Sequence, residues 1–152
     1  MSTWDDWQYY LGEWVGEGTG EPGQGVGGFR FDFDLQGQIL MRRNFAEYPA
    51  SEEKPAYRHD DLMIIYPEPE GLFRATYWDN EGHIIHYKAE FSNDENTLTF
   101  IGDIQPSAPR FRFTYQKMGN NTLSIKFEIA PPGKPEDFAP YIEATAHRKT
   151  QV

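Results

Sequence analysis

The sequence of 152 residues contains no cysteine, which excludes disulfide scaffolds, thiolate zinc sites and thiol nucleophiles. Positive charge is also scarce, because 14 Lys and Arg residues stand against 24 Asp and Glu residues and give a formal net charge of −10 at pH 7. An acidic surface repels phosphate groups and anionic lipid heads, so we expect no nucleic acid and no membrane as a partner.

Long apolar runs are absent as well. No segment approaches the roughly 18 apolar residues of a membrane span, and the start of the chain has neither the basic nor the apolar part of a signal peptide. We therefore expect a cytoplasmic protein. The length predicts one domain covering residues 1–152, which is large enough to bury a hydrophobic core without cross-links.

Turn-forming and aromatic residues are abundant, with 14 Gly, 11 Pro and 16 % aromatic residues. Between the turns, apolar and polar residues alternate, as in 29–35 and 123–129, which indicates strands with one buried and one solvated face. Ten segments show this pattern: 11–20, 27–35, 38–48, 56–66, 71–79, 82–92, 96–103, 109–118, 121–130 and 141–150.

Ten strands linked by hairpins predict an all-β fold, a ten-stranded antiparallel up-and-down barrel, because closure removes the exposed edges of an open sheet. Helix signals are few. A short helix is predicted at the N-terminus, where Ser2 or Thr3 can cap a helix that runs to Leu11 with Asp5 or Asp6 in its first turn.

Short motifs at the two ends of the chain carry a family resemblance. Gly12 and Trp14 near the start, with Arg148 near the end, resemble the Gly-x-Trp and C-terminal Arg pattern of the lipocalin-like (calycin) barrels. The resemblance implies a barrel like those of lipocalins and fatty-acid-binding proteins, in which the first strand pairs with the last and the Arg148 guanidinium lies across the Trp14 ring. A cation over a partly desolvated indole is worth about 2 kcal/mol, so the resemblance implies a structural role for Arg148.

The longer string from Gly12 to Gly18, GEWVGEG, is also similar to the opening of the nitrobindin-type haem barrels and of related uncharacterised bacterial barrel families. In nitrobindins the haem ligand is a His just after a Pro at the start of the final strand. The matching position after Pro140 is Tyr141, and Tyr ligates ferric haem less commonly than His. The resemblance implies haem as an alternative cofactor, with Tyr141 or a His inside the barrel as axial ligand; otherwise no cofactor is expected.

The more apolar face of each strand is expected to point into the barrel. This choice places Tyr77, His83, Tyr87 and Tyr115 inward. Their polar tips then project into an apolar cup, a composition typical of a small-molecule pocket.

The two faces of segment 56–66 are less easily distinguished. The face with His59 and Asp61 is favoured as the inward one, since the other face would bury both Arg58 and Asp60.

Segment 38–48 is similarly ambiguous, and the face with Met41, Arg43 and Phe45 is preferred as the inward one. An inward Arg43 needs a partner, either Asp61 or an acidic group of a ligand, because an unpaired buried charge is costly.

Two sequence patterns resemble binding motifs but lie in the wrong secondary structure for nucleotide or metal binding. The glycines of 23–28, GQGVGG, match a dinucleotide-binding motif, but an alternating strand follows where the phosphate-binding version needs a helix. His83 and His86 fall on opposite faces of a strand, so they make a poor metal pair. No metal site is predicted, although His59, His83 and Asp61 from different strands could meet in one; sequence spacing does not establish that they do.

The sequence thus predicts non-enzymatic binding of a small apolar or amphipathic molecule inside the barrel, as a carrier or sensor. The residues expected to contact this ligand are Arg43, His59, Asp61, Tyr77, His83, Tyr87 and Tyr115. One alternative is a haem-binding barrel of the nitrobindin type. Another is an enzyme that uses His59 or His83 as a base beside Asp61. A homodimer is left open.

Overall fold

Ten antiparallel strands close into a barrel in the computed structural model, which describes residues 3–17 and 26–149. Each strand pairs with its neighbours in sequence, and β1 pairs with β10 to complete the ring. The strands are β1 Gly12–Glu17, β2 Val26–Asp34, β3 Ile39–Tyr48, β4 Tyr57–Pro67, β5 Phe73–Asp79, β6 Ile84–Phe91, β7 Thr97–Gly102, β8 Arg110–Lys117, β9 Thr122–Ala130 and β10 Ala139–Arg148. The 3₁₀ segments are Trp4–Tyr10, Leu35–Gly37 and Pro69–Gly71. The predicted all-β, ten-stranded barrel is confirmed.

The 3₁₀ helix Trp4–Tyr10 precedes the barrel and confirms the short helix predicted at the N-terminus. The Thr3 hydroxyl accepts a hydrogen bond from the backbone N–H of Asp5, and the Asp6 carboxylate accepts one from the backbone N–H of Thr3. These reciprocal bonds form a capping box that starts the helix at Trp4. Among the described residues, no helix is long and apolar enough to cross a membrane.

This helix closes one end of the barrel, called the closed end below. Trp7 and Tyr10 are fully buried there, and the Trp14 indole N–H donates to the Tyr10 carbonyl at 3.0 Å. The other large, fully buried side chains among the described residues are Phe31, Leu40, Met63, Ile65, Tyr87, Leu98, Phe100, Tyr115 and Leu123.

Arg148 joins the last strand to the closed end. Strand pairing places Arg148 of β10 opposite Trp14 of β1, and the guanidinium carbon lies 4.3 Å from the Trp14 ring centroid. Its Nη1 and Nη2 donate to the carbonyls of Leu11 and Tyr9 at 3.0 and 2.7 Å. The predicted pairing of the first and last strands and the structural role of Arg148 are confirmed.

The glycine-rich motif 23–28 ends inside a strand, because β2 begins at Val26. A Cβ atom at Gly28 would lie 2.8 Å from the Trp14 carbonyl oxygen, so the close approach of β1 and β2 requires glycine there. The prediction that a strand, and not a helix, follows the motif is confirmed; residues 23–25 lie outside the described part of the chain.

Candidate functional site at the open end of the barrel

The end of the barrel that the N-terminal helix leaves uncovered, called the open end below, holds four of the residues predicted to bind a ligand: His59, Asp61, Tyr77 and His83. This end is bordered by the start of β4, the end of β5 and the turn 79–83 that leads into β6. Hydrogen-bonded polar side chains gather here, and we call them the polar network: Arg42, Asn44, His59, Asp61, Tyr77, Asp79, Glu81 and Tyr115.

A buried ion pair forms the base of the polar network. Arg42 of β3 donates from Nη1 to Oδ1 of Asp61 on β4 at 2.7 Å, and from Nε to the Tyr115 hydroxyl at 2.6 Å. The side chains of Arg42 and Asp61 are 5 % and 4 % exposed. Burial opposes the charge of Arg42, but Tyr115 and Asp61 outweigh it and raise the Arg42 pKa. Both members of the pair are charged, and each offsets the desolvation of the other.

Asp61 ties three side chains together. Its Oδ2 accepts hydrogen bonds from Asn44 Nδ2 and His59 Nε2, each at 2.8 Å, while Oδ1 accepts from Arg42. Burial alone would raise the pKa of Asp61, but Arg42, His59 and Asn44 together hold that pKa below its usual value. Because both carboxylate oxygens are engaged, the orientation of the Asp61 side chain is set by its partners.

His59 is held between two carboxylates. Its Nε2 bonds to Asp61, and its Nδ1 lies 2.5 Å from Oε1 of Glu81. The hydrogen bond to Asp61 raises the pKa of His59 to about 9, burial opposes this increase, and Glu81 adds to it. Since an imidazolium donates protons, this arrangement suits His59 as a proton donor.

Tyr77 and Asp79 extend the polar network to the turn after β5. The Tyr77 hydroxyl donates to Asp79 Oδ2 at 3.0 Å and lies 3.4 Å from His59 Nε2. Asp79 Oδ1 accepts the backbone N–H groups of Glu81 and His83, so the carboxylate also shapes the turn. Burial raises the pKa of Tyr77, and the neighbouring carboxylates raise it further, so its hydroxyl keeps its proton.

The structure brings together four of the seven residues predicted to bind a ligand, namely His59, Asp61, Tyr77 and Tyr115. Their inward orientation is confirmed. Tyr87 is also inward, but it is 2 % exposed and its ring packs 6.4 Å from the Tyr77 ring, so it belongs to the core beside the polar network.

The predicted inward orientation of Arg43 is wrong. Arg43 is exposed on the outer surface, whereas its neighbour Arg42 is 4 % exposed and points inward. The physical reason is that the interior offers Arg42 both Asp61 and the Tyr115 hydroxyl as partners. Phe45, on the same face as Arg43, packs on the outside of the barrel against a neighbouring arginine.

The predicted inward position of His83 is also wrong. Its side chain is 55 % exposed and lies before the first residue of β6, Ile84. The His83 Nδ1 contacts Asp79 Oδ2 at 2.9 Å, which holds the ring at the rim of the barrel.

The sequence analysis missed four members of the polar network: Arg42, Asn44, Asp79 and Glu81. The sequence did contain an indication of Arg42. An inward arginine on this strand needs a carboxylate such as Asp61, and that requirement applies to Arg42 as well as to the adjacent Arg43. Asp79 and Glu81 carried no such signal, since they stand in a stretch that the sequence marks only as a turn.

Apolar side chains line the opposite side of the open end, on strands β8, β9 and β10. We call them the apolar wall: Phe111, Phe113, Ile125, Phe127 and Tyr141. The Phe127 ring contacts Phe111, Phe113 and Tyr141, with centroids 5.7 to 6.2 Å apart. None of the five is buried, which distinguishes the apolar wall from the aromatic side chains of the closed end.

Two sets of residues have the chemistry to hold a metal or a cofactor. His59, Asp79 and Glu81 each place one ligand atom within 4.8 Å of the other two. Tyr141, the predicted haem ligand, is 69 % exposed and stands in a β-bulge between Pro140 and Ile142. Its ring contacts Phe127, so it lies at the rim of the apolar wall.

Two comparisons with known proteins found no relative of this chain. No protein-family model matches the chain, and no curated protein matches it. The function proposed below therefore follows from the geometry of the open end.

Proposed function

We propose that the barrel binds a small apolar or amphipathic molecule at its open end, as a carrier or sensor. The observation that supports this most is the contrast across the open end, where partly exposed apolar side chains of β8–β10 face a polar network on β3–β5. A mostly apolar surface with a few convergent polar groups is the usual composition of a small-molecule site.

The apolar body of such a molecule would lie against Phe111, Phe113 and Phe127, removing their exposed rings from water. Its polar end would meet the Tyr77 hydroxyl and His59. Because Arg42 and His59 are already paired with carboxylates, the polar network offers hydrogen bonds and no excess positive charge. This favours an uncharged polar end that can donate a hydrogen bond to the Tyr77 oxygen, such as a hydroxyl group.

The test uses N-phenyl-1-naphthylamine, a neutral apolar fluorophore, in a fluorescence titration of the purified protein. Phe111 of the apolar wall is partly exposed, and Phe45 is a partly exposed phenylalanine on the outside of the barrel, where its ring packs against Arg58. Phe111→Glu is expected to weaken binding by about tenfold or more, because it places a charge where the apolar molecule lies. Phe45→Glu is the matched control and is expected to leave binding unchanged.

Equal effects of the two substitutions, or no saturable binding by the wild-type protein, would contradict the proposal. A second, independent test is mass spectrometry of the small molecules that are released when the purified protein is denatured. A compound with an apolar body and one uncharged polar group is expected.

Two alternatives stay predictions. Haem binding of the nitrobindin kind predicts a Soret band on haem titration that shifts in Tyr141→Phe, and the absence of any spectral change at stoichiometric haem would eliminate it. Catalysis by the polar network predicts that molecules released from wild-type protein and from His59→Gln differ in mass, as product and substrate. Identical molecules from the two proteins would favour the carrier.

A further inference from the structure

Three metal-ligating side chains meet at the rim of the barrel. His59 lies on β4, Asp79 ends β5 and Glu81 stands in the turn that follows, and their ligand atoms all lie within 4.8 Å of one another. Zinc binds nitrogen and carboxylate oxygen at about 2.0–2.2 Å, so the ligand atoms of one ion lie within roughly 4 Å of each other. No separation among the three atoms exceeds that spacing by more than about 0.8 Å, and His59 Nδ1 and Glu81 Oε1, which are 2.5 Å apart, separate to admit the ion.

The orientation of His59 is provided by a residue outside this group. Asp61 accepts a hydrogen bond from His59 Nε2 at 2.8 Å, and Asp61 is itself buried and held by Arg42 and Asn44. Histidines that ligate metals commonly donate their second ring N–H to a carboxylate in this way, which orients the ring and strengthens the ligating nitrogen. The ligating nitrogen here is Nδ1, which is directed towards Glu81.

Charge balance favours an ion at the same place. The polar network places one guanidinium, that of Arg42, and the imidazole of His59 among three carboxylates, Asp61, Asp79 and Glu81. A divalent cation adds two positive charges to the one on Arg42. Positive and negative charges then match, three against three.

We propose that the open end binds a divalent cation through His59 Nδ1, an Asp79 oxygen and Glu81 Oε1. Imidazole and carboxylate ligands without thiolate suit zinc and similar transition-metal ions. Three protein ligands leave a coordination position for water or for a molecule bound in the barrel. The His83 Nδ1 contacts Asp79 Oδ2 at 2.9 Å. When the ion binds, His83 either gives up this contact, which frees the Asp79 oxygen, or becomes a fourth ligand.

The experiment is an isothermal titration of zinc chloride into EDTA-treated, dialysed protein at pH 7.5. We expect binding of one ion per chain. Glu81→Gln and His59→Gln are each expected to lower the affinity at least about tenfold, because each removes a ligand. Asp61→Asn is expected to weaken binding less, since it removes no ligand and acts on the metal site through the orientation of His59.

The matched controls are His86→Gln and Glu90→Gln, which change exposed residues of β6 away from the three ligands. These controls are expected to bind zinc as the wild-type protein does. No stoichiometric binding by wild type, or equal losses in Glu90→Gln and Glu81→Gln, would overturn the proposal. Should His59→Gln fail to fold, Glu81→Gln decides, because its side chain is 42 % exposed.

This proposal stands apart from the binding of a molecule in the barrel. The fluorophore titration is carried out with EDTA present, so it reports on the apolar wall in the absence of metal. Failure of zinc binding therefore leaves the fluorophore result unaffected, and failure of fluorophore binding leaves the zinc titration unaffected.

Discussion

At the closed end, the fully buried rings of Trp7 and Tyr10 fill the barrel, whereas near the open end Arg42 and Asp61 occupy inward positions with opposite charges. The hydrophobic effect that buries these rings has no direction, and its contribution grows with the apolar surface area removed from water. A buried ion pair is stable only when its partners are placed correctly, and it contributes little net stability. We infer that the closed end holds the barrel together and that the open end carries its specificity.

The largest expected effect is that of Trp7→Ala at the closed end. The Trp7 ring contacts the rings of Trp4, Tyr10, Phe73, Phe91 and Phe100. Its loss leaves a cavity and is expected to lower the free energy of unfolding by about 4 kcal/mol, measured by urea denaturation. Trp78→Ala, the same change at a partly exposed position on the outer surface, is expected to cost much less. Equal losses would show that the helix does not close the core.

Asp61→Asn is the corresponding test at the open end. It leaves the Arg42 charge buried without its carboxylate, so we expect the free energy of unfolding to fall by about 3 kcal/mol. The control is Asp60→Asn, one residue away on the solvent face and paired with the exposed Arg58, where the loss is expected to be far smaller. If the two variants unfold at the same urea concentration, the ion pair does not support the open end.

The pH dependence of the free energy of unfolding tests the open end separately, because His59 lies there and a change of pH removes no packed side chain. The pKa of His59 is raised to about 9 in the folded protein from an unfolded value near 6.5, so folding binds its proton more tightly. This contribution is fully present below pH 6.5, declines as the pH rises and is lost above pH 9. With allowance for solvent screening, we expect a decline of about 1 kcal/mol in metal-free protein. His59→Gln is expected to remove this decline and His86→Gln to retain it.

The smallest expected effect is that of Tyr10→Phe at the closed end, and it has the opposite sign. The Tyr10 hydroxyl is buried and has no hydrogen-bond partner among the described residues, so its removal is expected to raise the free energy of unfolding by up to about 1 kcal/mol. Tyr115→Phe deletes the same atom where it accepts a hydrogen bond from Arg42, and it is expected to destabilise the protein. A loss of stability in Tyr10→Phe would mean that this hydroxyl has a polar partner in solution.

The barrel and its closed end were predictable because both depend on local pattern. Alternation with a period of two locates the strands, and the resemblance of Trp14 and Arg148 to the pattern of the lipocalin-like barrels implies which strands meet. The inward face of β4 was predictable for a related reason, since only one choice avoided burying Arg58 and Asp60 together.

The polar network was predictable only in part, because its members come from separate strands and a turn. His59 and Asp61 share a strand and a face, so the sequence places them side by side. Nothing local indicates that the turn after β5 brings Glu81 to His59, since that contact depends on how β4 and β5 are paired.

What the sequence by itself determined is the order of strands and turns, the aromatic helix at one end and the absence of cysteine chemistry. What only the tertiary structure decided is which of two adjacent arginines lies inside and which acidic groups surround His59. The physical reason is that strand alternation is a property of neighbouring residues. The inward choice between Arg42 and Arg43 depends instead on a carboxylate 19 positions along the chain, which only strand pairing brings within hydrogen-bond distance.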